Sequence, residues 1–258
     1  GWDRATAMGY NSSVLSTATA SYPALGGLLA ALGWYYPFAL PLFAIPIGLL
    51  VIFSLRNPEP HNEQGMREYF GSVWHHLWDR QVAGLLFLSL GTFVVLFGPQ
   101  IFYLPILMGD SFGSSPVFIG MVLSSASLVS ALAASQLGRL SGYFEPTTLM
   151  KAAFLLYPVA LCLIPLAPNP WLLLVPAAVF GVAQGLNIPN ILTLLNGLAP
   201  DENRGAFMSV NGMILRLGQT LGPVLMGAAA VGIGISGAYY AAAALTGVMF
   251  LVAVATLR

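Results

Sequence analysis

Apolar residues run through this chain in unbroken stretches of about twenty, and charged residues fall almost only between those stretches. In hydrocarbon, every backbone N–H and C=O needs a partner within the protein, so stretches of this kind fold as spanning helices. Composition agrees. The chain is 57% hydrophobic and 7% charged, whereas charged residues make up about 25% of a soluble globular protein. The expected class is an all-α polytopic membrane protein. A formal net charge of zero gives no reason to expect nucleic acid as a partner. The single cysteine, Cys162, lies inside an apolar run. It excludes a disulfide framework and reads as a packing residue. No cleavable signal sequence is visible, and Gly1 is not a natural start, so targeting information is expected upstream.

Proline, glycine and charge divide the chain into eight candidate spans. They cover about 6–32, 37–55, 82–108, 116–140, 148–166, 171–198, 205–231 and 235–257. Trp34, Tyr35 and Tyr36 form an aromatic interface cluster between the first two. Between the second and third lies a polar linker that holds all three histidines. There Met66, Phe70, Val73, Trp74, Leu77 and Trp78 recur at three-and-four spacing. That stripe predicts an amphipathic helix along the membrane interface, either a passive connector or a lipid- or calmodulin-responsive element. His61, His75 and His76 have neither cysteines nor carboxylates at ligand spacing, so no metal site is expected.

With these spans the loops alternate sides, and all nine basic residues fall on or near one of them. They are Arg4, Arg56, Arg67, Arg80, Arg139, Lys151, Arg204, Arg216 and Arg258, while the opposite loops carry none. The positive-inside rule makes the basic side cytoplasmic and the protein a multi-pass component of the inner or plasma membrane.

The chain also repeats itself. Shifted by 200 residues, Arg4, Met8, Asn11, Leu15, Pro23, Leu25 and Gly27 fall on Arg204, Met208, Asn211, Leu215, Pro223, Leu225 and Gly227 without a gap. A repeat this long indicates two large homologous halves, not a short-period solenoid. The second copy closes the chain and the first opens it, so most of the half preceding Gly1 is expected to be missing.

Three motifs carry a family resemblance. Pro23-Ala24-Leu25-Gly26-Gly27 resembles the end of the G-x-x-x-G-P-x-x-G-G motif of drug/proton antiporters, with Tyr22 where glycine would precede the proline. Gly138-Arg139-Leu140-Ser141-Gly142 resembles the loop motif G-x-L-(S/A)-D-R, with Gly142 in place of the acid. Asp201 to Gly205, followed by Leu221-Gly222-Pro223, resembles the loop and eleventh helix of the same group. The chain thus resembles helices five to twelve of a major facilitator superfamily transporter. The resemblance implies two six-helix bundles related by an axis along the membrane normal, with substrate between them. Residues 1–56 would be the last two helices of the N-terminal half, 57–80 a cytoplasmic linker, and 81–258 the six-helix C-terminal half. It further implies a monomeric secondary transporter, without cofactor, that exports a small amphipathic or drug-like molecule in exchange for protons. Import of an anionic molecule, or a scaffold without flux, are the alternatives. The fragment alone is expected not to transport.

Residue by residue, the small and bending residues Pro23, Gly26, Gly27, Gly222 and Pro223, with Gly138, Arg139 and Arg204, are the expected conformational motif. They serve either as a hinge and seal between halves or as plain tight packing. Arg216 is the one cation placed inside a span. It is either a cavity arginine that binds an anionic group or pairs with an acid on a missing helix, or it snorkels to the interface. Gln184, Asn187 and Asn190 at three-residue spacing, together with Gln100, Tyr103, Asn211 and Gln219, form a polar set that must find partners in a bilayer. Arg216, Gln184, Asn187, Asn211, Gln100 and Tyr103 are the candidate cavity residues. Ser124, Ser125, Ser127 and Ser130 read as packing residues. Gly234-Ile235-Ser236-Gly237 resembles a serine-protease signature, but no histidine follows residue 76 to act as base, and no span holds a nucleophile–base pair. An enzyme is therefore not expected. No Asp or Glu falls within any of the eight spans, so the proton-titrating carboxylate is expected on helices before Gly1 unless Asp110, at the outer end of the span over 82–108, contributes.

Overall fold

A computed structural model describes residues 18, 21–54, 79–199 and 204–257. The linker stripe, its histidines and the first residues of the repeat lie outside these. All the described regular structure is helical. We label the helices α1 (Ser21–Leu32), α2 (Ala44–Ser54), α3 (Arg80–Phe112), α4 (Pro116–Ser135), α5 (Pro146–Leu163), α6 (Leu174–Leu198), α7 (204–233) and α8 (235–256). Six apolar helices among the described residues are long enough to cross a membrane. One of these, the 50-residue stretch Phe207–Thr256, is long enough for two crossings. It breaks at Gly234, whose φ of 76° and ψ of 166° divide it into α7 and α8.

Contacts fix the relative directions of α1, α3, α4, α6, α7 and α8. Gly84 meets Thr256, Gly91 meets Met249, and Tyr239 reaches Pro99, so α3 and α8 run antiparallel. Ser89 meets Asn211, and Gly98 meets Gly222 and Met226, so α3 and α7 run parallel. Gly181 sits against Ala126 and Gly185 against Ser130, which makes α4 and α6 parallel. Gly27 sits against Pro116, and Gly120 against Pro23, so α1 and α4 run antiparallel. This is the strict alternation that short loops impose. It gathers Arg80, Arg139, Lys151 and the start of α7 at Arg204 at one end of the bundle. There Arg80 donates to the Ala255 carbonyl at 3.1 Å, and the Lys151 ammonium to Leu257 at 3.0 Å, each satisfying an open carbonyl at the end of α8. The turns at Gly113, Pro168–Pro170 and Gly234, at the other end, carry no basic residue.

Between α1 and α2 the aromatic cluster is formed, with the Trp34 and Tyr35 rings edge-on. Tyr36–Phe43 then winds as a tighter 3-10 helix instead of the α-helix expected from residue 37, with Pro41 inside it. A proline lacks the N–H that would continue α-helical pairing. The apolar side chains Ile45, Ile47, Leu50, Ile52 and Phe53 of α2 are exposed. The core lies among α3, α5, α6 and α8, around Phe154, Tyr157, Phe180 and Tyr239. Small residues set the spacing there, because lipid supplies no hydrophobic drive between helices and association relies on close backbone approach.

Candidate functional site

A cavity of about 620 Å³ opens among α1, α3, α4, α6 and α7. Its apolar wall is made by Phe93, Leu96, Phe97, Ile101, Leu123 and Ile188, and its small wall by Ala126, Ala131, Ala134 and Gly185. Phe93 and Phe97, one turn apart on α3, stack with centroids 6.2 Å apart and planes 16° apart. Polar groups come from Gln100, Gln184, Gln219, Ser127 and Ser130. Pro23 of the repeat motif also reaches the wall. The volume lies within the range of roughly 300–1,000 Å³ usual for small-molecule sites, and a few polar groups on an apolar surface is their usual chemistry.

The structure sorts the sequence candidates sharply. Gln100 and Gln184 line the cavity. Asn187 does not: it is fully buried and donates to the Thr92 hydroxyl at 2.7 Å, which in turn donates to Leu88. Asn211 is likewise buried and accepts from the Ser89 hydroxyl at 2.8 Å, so these two amides join α6 and α7 to α3. Asn190 turns back to the carbonyl of Leu186. The half-buried Tyr103 stands over Gly227, its hydroxyl 2.7 Å from where a Cβ there would lie. Arg216 is exposed beside the cavity and donates to the Gln219 Oε1 at 3.0 Å. Ser127 and Ser130, read from sequence as packing residues, are in the wall; Ser127 donates to Leu123 of its own helix. The aromatic pair was missed by the sequence reading. Its signal is the four-residue spacing of Phe93 and Phe97, beside Gly98-Pro99.

Helix α3 changes geometry at the site. Leu96–Tyr103 is a π-helical turn that contains Pro99. Wider turns of this kind occur mostly as single insertions at functional positions. The Pro99 carbonyl accepts from the buried Tyr239 hydroxyl at 3.0 Å. Gly98 backs onto Gly222, where a Cβ would come within 2.7 Å of the Gly222 carbonyl oxygen.

The conformational-motif residues also part company. Gly27 is buried where a Cβ would strike the Pro116 carbonyl, while Gly26 has nothing within 4 Å of that position. Gly222 touches both Val94 and Gly98. Pro223 is half-buried inside α7. Gly138 and Arg139 form the exposed turn after α4, where Arg139 donates to Gln136 at 3.3 Å. Arg204 opens α7.

The family model of the Major Facilitator Superfamily matches residues 1–108 and 89–258, which together cover the chain. The chain belongs to the Major Facilitator Superfamily. This superfamily chain is 29% identical over 237 residues to an uncharacterized MFS-type transporter of Bacillus subtilis, a match covering 86% of the chain and 58% of the relative. It is 31% identical over 110 residues to a multidrug resistance protein of Citrobacter koseri, covering 43% of the chain and 27% of that protein. A second multidrug resistance protein, from Escherichia fergusonii, is 28% identical over 122 residues, covering 47% of the chain and 30% of the relative. The chain thus spans somewhat over half the length of the Bacillus subtilis relative. With six membrane-capable helices among its described residues, this superfamily member is a multi-pass membrane protein.

Proposed function

We propose that this chain forms most of the substrate pathway of a secondary transporter that exports small amphipathic or drug-like molecules in exchange for protons. Residues 1–56 and 81–258 would belong to opposite halves, joined by a cytoplasmic linker over 57–80. The two halves would rock about the cavity, driven by differing affinity for the ion in the two states. The observation that carries this reading is the cavity itself, drug-sized, mostly apolar, and lined by α1 as well as by the later helices. Two relatives are named multidrug resistance proteins, which supports the cargo class. Arg216 is engaged by Gln219 and is not part of the wall, which favours this cargo over an anion. Gathering of Arg80, Arg139, Lys151 and the start of α7 at one end supports a cytoplasmic assignment for that end. Asp110, the described carboxylate within a long helix, is exposed at the outer end, so the proton-binding group is assigned to helices outside the described spans.

The test uses everted vesicles containing the intact transporter that carries this chain. An imposed pH gradient, followed with a quenched dye, should dissipate when ethidium is added, and Ala131→Trp should abolish the response while leaving protein levels unchanged. Ethidium export that survives a protonophore would remove the proton from the reading. Export untouched by the tryptophan would remove the cavity.

A further inference from the structure

We infer that Gln100 is a specificity-determining residue that recognises a neutral amide or lactam on a planar aromatic cargo. The inference rests on the export reading only for the word cargo; the recognition itself is a binding property.

Gln100 is 2% exposed, and neither its Nε2 nor its Oε1 has a hydrogen-bond partner. A buried amide left wholly unpaired is costly and calls for an explanation in any folded protein. The other buried amides described here are engaged: Asn211 with Ser89, Asn187 with Thr92, and Asn190 with Leu186. Only Gln100 makes no bond at all, and only Gln100 among these four stands in the cavity wall.

Nor can the backbone easily carry this amide elsewhere. It sits in the π-helical turn, one residue after Pro99, whose carbonyl is held by Tyr239, and two after Gly98, which is clamped on Gly222. The unpaired group is thus fixed at the cavity by contacts on its far side. A glutamine amide presents a donor and an acceptor side by side. Its complement is a second group of the same kind, which a lactam or amide supplies. Around it the wall offers the stacked Phe93 and Phe97 and the side chains of Leu96, Ile101 and Leu123, and no charged side chain. The nearby cation, Arg216, is bonded to Gln219. A flat, neutral, aromatic molecule with one cis donor–acceptor edge fits both features. A site built around a buried hydrogen-bonding group discriminates strongly against analogues that lack the matching group.

The experiment measures equilibrium binding to the purified intact transporter of carbostyril, an aromatic cis-lactam, and of N-methylcarbostyril, which keeps the ring and carbonyl but loses the N–H. Tetraphenylphosphonium is the cationic comparison. Wild type should prefer the lactam over its N-methyl form by about tenfold or more, the loss of one buried hydrogen-bonding match. In Gln100→Leu, similar in size but unable to pair, the preference should fall below about threefold, carbostyril losing more affinity than N-methylcarbostyril because it gives up two bonds and its N-methyl form only the one to its carbonyl. Equal binding of the two lactams by wild type overturns the inference, and that comparison needs no variant to fold. A preference that survives Gln100→Leu, no binding of either lactam, or tighter binding of tetraphenylphosphonium than of carbostyril overturns it too. Flux in proteoliposomes is scored separately. Lactam preference without flux would sink the export reading and leave this inference standing, and flux of cations without lactam preference would do the reverse.

Discussion

Gly26 and Gly27 are adjacent on α1, and the structure gives them opposite surroundings. A Cβ on Gly26 meets nothing within 4 Å, whereas one on Gly27 runs into the Pro116 carbonyl and lies 3.3 Å from the Cα of Gly120. The Gly27 neighbours are backbone atoms, so no side chain can swing aside, and the two helices must separate. Overpacking of this kind costs about 1–3 kcal/mol. Helix propensity acts in the other direction, favouring alanine over glycine by up to about 1 kcal/mol, but equally at both sites. It cancels in the comparison, and the steric term remains. If the α1–α4 crossing closes the non-basic end in one transport state, Gly27→Ala should shift the population away from that state by about 5–150-fold. Gly26→Ala should not shift it. The assay places a cysteine at Ser127, in the cavity wall, within a Cys162→Ser background. Its labelling by a membrane-impermeant maleimide, added from the non-basic side, reports how often that end is open. Faster labelling in Gly27→Ala alone is the expected result. Equal rates in the two alanine variants would refute the reasoning, because the contact would then not govern access.

The remaining predictions concern packing, turns and the basic side chain. Thr92→Val should strip Asn187 of its buried acceptor and cost about 0.6 kcal/mol, the average for such bonds in membrane proteins, and at most about 1.7, read as a lower melting temperature. Its Kd for cavity ligands should stay at the wild-type value, because Asn187 stands outside the wall; a changed Kd at an unchanged melt would contradict that placement. Gly234 sits in a backbone region open essentially to glycine alone, so Gly234→Asn should destabilise by about 1–3 kcal/mol. Gly113, at φ 58° and ψ 31°, should accept Asn with a far smaller loss, and equal melts for the two variants would contradict this. Arg216→Gln should leave export of cationic and neutral dyes within about twofold of wild type, since the guanidinium is held at the cavity margin by one neutral hydrogen bond; a selective loss for anionic dyes would restore the anion reading.

The all-helical, membrane-spanning character of the chain was legible because it rests on one strong signal, the long apolar runs. Even the break before the last helix was visible at Gly232–Ser236, although the structure needs only Gly234 to make it. The local departures were harder to read. Pro37 and Pro41 lie in an apolar run that satisfies any hydropathy window, yet the chain winds there as a 3-10 helix. Pro99 sits in a run just as apolar, and the turn around it is π-helical. Hydropathy measures transfer from water, and it is nearly blind to which carbonyl each N–H finds.

The polar face of α6 shows most clearly where sequence reasoning stops. Three-residue spacing is not a straight line on an α-helix: each step falls about 60° short of a full turn, so Gln184 and Asn190 point about 120° apart. A tripeptide rhythm therefore fans its side chains across three surroundings. Gln184 faces the cavity, Asn187 enters the seam with α3, and Asn190 bonds back onto its own helix. Which amide receives which surrounding depends on where Gly181 and Gly185 let α6 press against α4, because that contact fixes the rotation of the helix about its axis. The glycines thus select the cavity-facing amide indirectly. Bulk added at Gly185, whose Cβ would strike the Ser130 carbonyl, would force α6 away from α4 and disturb the Gln184 wall and the Asn187–Thr92 bond together.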